Sequence, residues 1–274
     1  MMSEKVVSRE YKVLLKKNLF TGSEQELLQA AKNFWHAFSQ AINNIVSEVN
    51  GDLEEIADQR IIRFYDTTEY ILYKNDYIFR ERLDINTDRR EVTLKFRNRD
   101  RYISQDRNMN RGEAKFEEDI KTPFEVLYSF SDTQIISTDK KLNQIQDAAQ
   151  LYPDLTEKVS LLKGEDEIRT IGVTIREIVI KGAKFQIRNQ PKLDSKCALI
   201  IWYDNNHDPE KPVAVEFSFK YGDVNEIYSR KVAQRAYDVF QILQKILTYW
   251  VDLDSDTKTA YIYKLDEVKS SCHS

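Results

Sequence analysis

Charged side chains alternate with apolar ones along several predicted strands of this 274-residue chain. The segment Ser8-Arg9-Glu10-Tyr11-Lys12 shows the pattern, since in a strand Glu10 and Lys12 share one face and Tyr11 lies on the other. Several later segments repeat it. Because an ionised side chain is costly in an ordinary apolar core, these strands predict the wall of a charged interior.

Basic residues on these faces are grouped together rather than interspersed with acidic ones. Arg80 and Arg82 share a face of one predicted strand, and Lys95 and Arg97 share a face of the strand that follows it. Solvated faces more often mix the two signs, whereas several cations, including bidentate arginines, suit a ligand with several phosphates. The predicted phosphate-binding residues are Lys12, Arg80, Arg82, Lys95, Arg97, Arg188 and Lys220.

Four carboxylates lie on the same set of faces: Glu10, Glu117, Asp119 and Glu216. Carboxylates repel phosphate directly, but they bind Mg²⁺ or Mn²⁺, which take oxygen ligands and bridge to phosphate. Such a metal polarises a phosphoryl oxygen or activates a water, so hydrolysis needs no nucleophilic side chain. The pattern therefore predicts these four residues as ligands of Mg²⁺ or Mn²⁺.

An ordinary antiparallel sheet with one wet face explains each strand equally well when the strand is taken alone. Two long apolar-striped helices, predicted at about 23–49 and about 224–250, favour the interior instead. These helices need a sheet face to cover, and the aromatic-rich faces of the strands can provide it. The charged faces would then point toward one another, as in the lumen of a barrel.

Composition limits the class of protein. The chain has 41 Lys and Arg against 45 Asp and Glu, a formal net charge of −4, which makes nucleic-acid binding an unlikely role. No apolar run reaches the roughly 18 residues of a membrane span. Two cysteines give no disulfide framework, and the start of the chain lacks the apolar core of a signal peptide. We expect a cytoplasmic protein without a membrane segment.

A linker rich in Pro, Gly or Ser is absent from the sequence, and the fold class is predicted as α+β. We expect a single domain over residues 1–265 and a flexible tail over residues 266–274. Residues 260–265 are predicted as a last strand. The sequence leaves the oligomeric state open.

Several short motifs, in order, resemble those of CYTH domains, the triphosphate tunnel metalloenzymes. Glu10-Tyr11-Lys12 looks like the end of their EXEXK motif, and the Tyr65-Asp66-Thr67 turn followed by Arg80-Glu81-Arg82 is similar to the next conserved pieces. Val92 to Lys95 and Val215 to Phe219 resemble two later strands, so the likeness covers about residues 6–250. It implies an antiparallel eight-stranded tunnel-like β-barrel with flanking helices, a divalent metal, and a triphosphate-containing small molecule such as inorganic triphosphate, thiamine triphosphate or a nucleotide.

Two positions depart from that family pattern. Ser8 stands where the first glutamate of EXEXK is expected, and Ser218 stands where the late acidic strand has its second carboxylate. A hydroxyl is a poorer ligand for a hard cation than a carboxylate. Three functions stay open: a metal-dependent triphosphate or polyphosphate phosphohydrolase, a non-catalytic phosphate-ligand binding protein, and an interaction scaffold whose charged faces are merely solvated.

Overall fold

A computed structural model describes residues 4–107, 112–255 and 257–271. Its strands, numbered in chain order, share one sheet. They are β1 (Ser8–Leu15), β2 (Glu48–Asn50), β3 (Glu55–Asp66), β4 (Tyr77–Asp84), β5 (Arg90–Asn98), β6 (Glu113–Lys121), β7 (Glu125–Ile136), β8 (Arg169–Lys181), β9 (Lys184–Arg188), β10 (Leu193–Asp204), β11 (Ala214–Gly222) and β12 (Val251–Asp252).

Within the described residues, nine of these strands close into a barrel. The order around it is β1, β6, β7, β5, β4, β3, β8, β10 and β11, and β11 pairs again with β1. The β1–β6 pair is parallel, whereas the other neighbours are antiparallel. Strands β2, β9 and β12 lie outside this ring.

The closed barrel is confirmed, but the expected count of eight strands and a purely antiparallel arrangement are wrong. Strand β7 has a weak sequence signature. Its inward positions carry the small polar residues Ser129, Ser131 and Thr133, which weaken the apolar alternation that marks a strand. Pairing with β5 and β6 on its two sides gives β7 its backbone partners.

The described residues also form seven α-helices. They are α1 (Glu24–Ile42), α2 (Ile71–Lys74), α3 (Arg101–Gln105), α4 (Ile145–Ala149), α5 (Leu155–Lys158), α6 (Arg230–Lys245) and α7 (Lys258–Ser271). Among the described residues, no helix is both long enough and apolar enough to cross a bilayer.

Helices α1 and α6 are shorter than the predicted 23–49 and 224–250. Ser23 caps α1 in a capping box with Glu26, but after α1 ends at Ile42 the chain turns and forms β2. The N-cap of α6 is Ser229, whose side chain accepts a hydrogen bond from the Val232 amide.

The end of the chain is helical where we expected a strand followed by a tail. Helix α7 contains residues 260–265, so the predicted strand there is wrong, and it continues through 266–271. Ile262 and Tyr263 are buried against strands β3 and β8 and contribute to their packing. Residues 272–274 of the expected tail lie outside the described residues.

The largest hydrophobic core lies between the outer face of the barrel and helices α1 and α6. Tyr11 stacks on Phe219 with ring centroids 4.7 Å apart, and Phe34 of α1 meets Phe217 edge-on at 4.9 Å. Because the strand period is two, burying Tyr11, Phe217 and Phe219 outside the barrel turns Glu10 and Lys220 toward its interior.

Candidate functional site

The barrel encloses a cavity of about 320 Å³ lined by charged side chains. Most of the predicted site residues meet there, although they come from five strands far apart in the sequence. Those lining the cavity are Glu10, Lys12, Arg80, Arg82, Lys95, Arg97, Glu117, Asp119, Glu216 and Lys220.

Arg188 does not reach the cavity. It ends β9, which pairs with β2 and β10 outside the barrel ring. Its Nε donates to the Pro191 carbonyl oxygen at 2.9 Å. Arg188 is therefore not brought together with the other predicted phosphate-binding residues, because its strand branches off the wall.

Strand register places the acidic and basic residues beside one another. Glu10 lies opposite Asp119 on the parallel strand β6 and opposite Lys220 on β11. On the far wall, Arg80 of β4 lies opposite Thr93 of β5. Since alternate residues face the same way, each of these strands contributes one set of side chains to the cavity.

Asp119 is the most heavily neutralised carboxylate in the cavity. Its oxygens lie 2.6 Å from the Lys12 Nζ, 2.8 Å from the Lys95 Nζ and 3.0 Å from an Arg97 guanidinium nitrogen. Burial favours the protonated acid, but Lys12, Lys95 and Arg97 outweigh it and hold the pKa of Asp119 well below its usual range. Asp119 is therefore ionised at neutral pH.

The other predicted acidic ligands also contact lysines. Glu10 lies 2.9 Å from the Lys12 Nζ, and Glu216 lies 3.0 Å from the Nζ of Lys258. Glu117 accepts hydrogen bonds from Lys220 and from the Ser8 hydroxyl. Ser8 thus serves as a donor to a carboxylate at the position where the family resemblance predicts an acid.

Arg80 and Arg82 form the contrasting part of the site. The Nε atoms of both side chains are buried and have no hydrogen-bond partner among the described residues, and neither guanidinium forms an ion pair there. Burial and the neighbouring Arg82 lower the pKa of Arg80 to about 9, although an arginine stays protonated near neutral pH. These two side chains have hydrogen-bonding capacity that the described protein does not use.

Glu177 is an acidic residue that attracts both arginines electrostatically. It is 1% exposed and accepts a hydrogen bond from the Trp202 indole at 2.8 Å. Burial favours the protonated acid, yet Arg82 and Lys258 outweigh it and lower the pKa of Glu177 to about 2. Glu177 offsets part of the positive charge without bonding to either arginine.

The cavity has an excess of positive charge. Of the described residues lining it, nine are Lys or Arg and five are Asp or Glu. Hydroxyl groups add neutral donors, among them Thr93 and Thr133, whose Oγ1 atoms lie 2.9 Å apart. Arranged in this way, the site can neutralise and hydrogen-bond a compact polyanion.

The carboxylates do not fit a divalent cation in this arrangement. No group of three His, Cys, Asp or Glu side chains converges within the described residues as a metal site needs. Glu10 lies opposite Lys220 of β11, whereas Glu216 lies four residues away along the same strand. The two glutamates are therefore about 13 Å apart along the strands. The rung between them holds Lys12 and Ser218, an ammonium and a hydroxyl. We therefore derive no chemical step through a metal ion.

Several cavity residues were missed by the sequence assignment. Lys115 and Lys121 continue the inward alternation of β6, so their spacing could have identified them. Lys258 gave no such signal, because it comes from α7, where we expected the chain to lie outside any helix. Glu177, which acts on the arginine pair without lining the cavity, lies within a run of β-branched residues in β8.

Comparisons with known proteins find distant likenesses of fold. No protein-family model matches the chain, and no curated protein sequence matches it significantly. Similar solved structures include a putative adenylyl cyclase from Hippeastrum described as having a dominant triphosphatase activity, with 12% identity, a TM-score of 0.47, and 94% of this chain and 95% of that chain covered.

Putative adenylate cyclases from two bacteria are also similar. The Bacillus halodurans protein has 12% identity and a TM-score of 0.43, covering 96% of this chain and 100% of that one. The Vibrio parahaemolyticus protein has 11% identity and a TM-score of 0.37, covering 95% and 99%. At such values these likenesses carry no statement about activity. The closed barrel nevertheless places in one cavity Glu10, Lys12, Arg80, Arg82, Lys95 and Glu216, the charged residues on which the resemblance to CYTH domains rests.

Proposed function

We propose that the barrel cavity binds a triphosphate or polyphosphate compound. The observation that carries this proposal is the half-buried pair Arg80 and Arg82, which line the cavity and whose buried Nε atoms have no hydrogen-bond partner among the described residues. A buried charge without such a partner destabilises a fold. An anionic ligand would supply the missing partner, and phosphate oxygens match the planar fork of arginine.

The arrangement of the cations around the cavity favours a ligand with several phosphates over a single phosphate. Arg80 and Arg82 lie on β4, whereas Lys12 and Lys220 lie on β1 and β11, across the ring of strands. A single phosphate contacts only one such group of cations, but a chain of phosphates can contact several. The candidate ligands are inorganic triphosphate, thiamine triphosphate and nucleoside triphosphates.

Calorimetry with inorganic tripolyphosphate tests the proposal directly. We expect saturable binding to the unmodified protein and a loss of about tenfold or more in Arg80→Met, because charge-assisted hydrogen bonds contribute about 1.5–3 kcal/mol. Arg188→Met is the matched control, since it removes the same side chain outside the cavity. No binding, or equal effects of the two variants, would contradict the proposal and favour an interaction scaffold.

Turnover is measured in the same preparations by release of inorganic phosphate from tripolyphosphate, thiamine triphosphate and ATP. Lys95→Ala is the reference, because Lys95 lines the cavity and contacts Asp119. Phosphate release above that of the Lys95→Ala protein would establish a phosphohydrolase, whereas binding without release would establish a phosphate-ligand binding protein.

A further inference from the structure

Each acidic residue predicted to hold a divalent metal already contacts a lysine. The pairs are Glu10 with Lys12, Asp119 with Lys12 and Lys95, Glu117 with Lys220, and Glu216 with Lys258. We propose that these lysines replace the divalent cation, so that the cavity binds its polyanion without a metal. This inference rests on the proposed function for the ligand but makes a separate statement about the cation.

Lys12 is placed to do what a bridging metal does. Its ammonium contacts Glu10 at 2.9 Å and Asp119 at 2.6 Å, and an ammonium has three N–H donors. Two donors are used by the carboxylates, and the third remains for a ligand in the cavity that Lys12 lines. A carboxylate–ammonium–phosphate chain thereby takes the place of a carboxylate–metal–phosphate chain.

The charges around Asp119 oppose a divalent cation at that point. Three cationic nitrogens, from Lys12, Lys95 and Arg97, lie 2.6 to 3.0 Å from its oxygens. An added Mg²⁺ would have to displace these groups or lie beside them, and like charges at such distances repel strongly in a partly buried site. The net positive charge of the cavity adds to this opposition.

Ser218 occupies the position at which a second carboxylate would be needed to chelate a metal ion. It lies opposite Lys12, between the rungs of Glu10 and Glu216, and it is 3% exposed. Glu216 and Ser218 are two residues apart and share a face of β11, so carboxylates at both positions could chelate one ion. In this chain the second position is a hydroxyl, and the Glu216 carboxylate contacts Lys258.

Calorimetry with tripolyphosphate in buffer containing EDTA, and then in buffer containing Mg²⁺, tests the ligand half of the inference. Binding of equal or greater strength in EDTA supports it, because Mg²⁺ in solution neutralises part of the ligand charge. Binding that appears only with Mg²⁺ would confirm the proposed function and overturn the metal-free inference, so the two failures are distinguishable.

Electron paramagnetic resonance of Mn²⁺ without any phosphate ligand tests the cation half independently. We expect the unmodified protein to leave the Mn²⁺ signal in its free form and Ser218→Asp to deplete that signal. Lys12→Met is a second variant, since it frees Glu10 and removes one of the three cations at Asp119 without placing a new side chain at the buried position 218. Circular dichroism verifies that each variant is folded. Depletion of the Mn²⁺ signal by the unmodified protein would overturn the inference even if tripolyphosphate did not bind.

Discussion

The two faces of strand β4 carry charged side chains that differ in how they are paired. Outside the barrel, Glu81 is 1% exposed and accepts hydrogen bonds from Arg63 at 2.6 Å, from the Arg90 Nε at 2.9 Å and from Tyr65 at 3.1 Å. Inside the barrel, the neighbouring Arg80 and Arg82 have buried Nε atoms without a partner among the described residues.

This difference separates a structural charge from one that is available to a ligand. The outer cluster is electrostatically complete, since two arginines from neighbouring strands enclose one carboxylate and hold β3, β4 and β5 together. The inner pair is incomplete, since Glu177 influences it only through space. Charge burial alone therefore does not identify a site, whereas unpaired buried charge that faces a cavity does.

Glu81→Gln should produce the largest effect and should affect stability alone. Removing one partner of a buried ion pair destabilises a protein by about 3 kcal/mol or more, because the remaining charge is left uncompensated. We expect the free energy of unfolding to fall by that amount in urea titrations, with unchanged affinity of the folded protein for tripolyphosphate.

The exposed Lys32–Glu54 pair provides the control for Glu81. The two groups lie 2.8 Å apart with side chains 40% and 57% exposed, so solvent screens their attraction and Glu54→Gln should leave the midpoint of urea unfolding nearly unchanged. Equal destabilisation by Glu81→Gln and Glu54→Gln would show that the outer cluster is not a structural ion-pair network.

Arg80→Met should stabilise the fold and weaken ligand binding, whereas Glu81→Gln should destabilise the fold and leave binding unchanged. It removes a guanidinium whose buried Nε has no hydrogen-bond partner among the described residues and keeps an unbranched apolar chain, so the free energy of unfolding should rise by about 1 kcal/mol. Affinity for tripolyphosphate should fall in the same variant. Thermal or urea denaturation of the ligand-free protein measures the first effect, and loss of stability in Arg80→Met would mean that the arginine serves the fold.

The sequence was sufficient to predict which side chains face inward on most strands. The period of two fixes the faces of β1 and β11 once their aromatic faces are assigned to helices α1 and α6. It fixes those of β4 and β5 in the same way, although their apolar faces pack against the segment that contains α4 and α5. Arg188 shows the limit of this reasoning. Its alternation resembles that of Arg80, but periodicity reports the face of a strand and not whether the strand belongs to the barrel wall.

The pairing of charges could not be predicted in the same way. Asp119 meets lysines from β1 and β5, and Glu216 meets Lys258 from α7, which are contacts between segments distant in sequence. Such contacts depend on strand register and on how helices close the ends of the barrel. The same carboxylates that looked like metal ligands in isolation are, in the fold, partners of ammonium groups.

Lys95 gives the inner face a pH dependence that the outer cluster should not share. Burial, with repulsion from Arg97 and Lys12, lowers the pKa of Lys95 to about 8 despite the attraction of Asp119 and Glu117. A bound polyanion favours the ammonium and raises this pKa. Affinity for tripolyphosphate should therefore be greatest below pH 8 and fall above it by at most about tenfold per pH unit, the limit for one proton.

As the pH rises above 8, Lys95 should increase the stability of the ligand-free protein, whereas it should decrease the affinity for tripolyphosphate. Because the folded pKa is lower than the unfolded pKa, the unfolded chain binds more protons between about pH 8 and about pH 10.5. The contribution of Lys95 to the free energy of unfolding thus rises over that interval.

Calorimetry with tripolyphosphate from pH 7 to 9.5 measures the pH dependence of binding, and Lys95→Met should flatten this dependence of affinity on pH. An equal slope in Lys95→Met would assign the titration to another group.

Thr93→Val should give the smallest effect and separates the hydroxyl groups of the inner face from its charges. Thr93 lies opposite Arg80, lines the cavity, and contacts the Thr133 hydroxyl at 2.9 Å. Valine keeps the shape of threonine and removes one neutral hydrogen-bonding group, which contributes about 0.5–1.5 kcal/mol. Affinity for tripolyphosphate should therefore weaken less in Thr93→Val than in Arg80→Met, with the same salt dependence as the unmodified protein, because no charge changes. Calorimetry at low and high ionic strength makes this comparison. A loss in Thr93→Val equal to that in Arg80→Met would mean that the hydroxyls, rather than the unpaired guanidinium, determine binding at this wall.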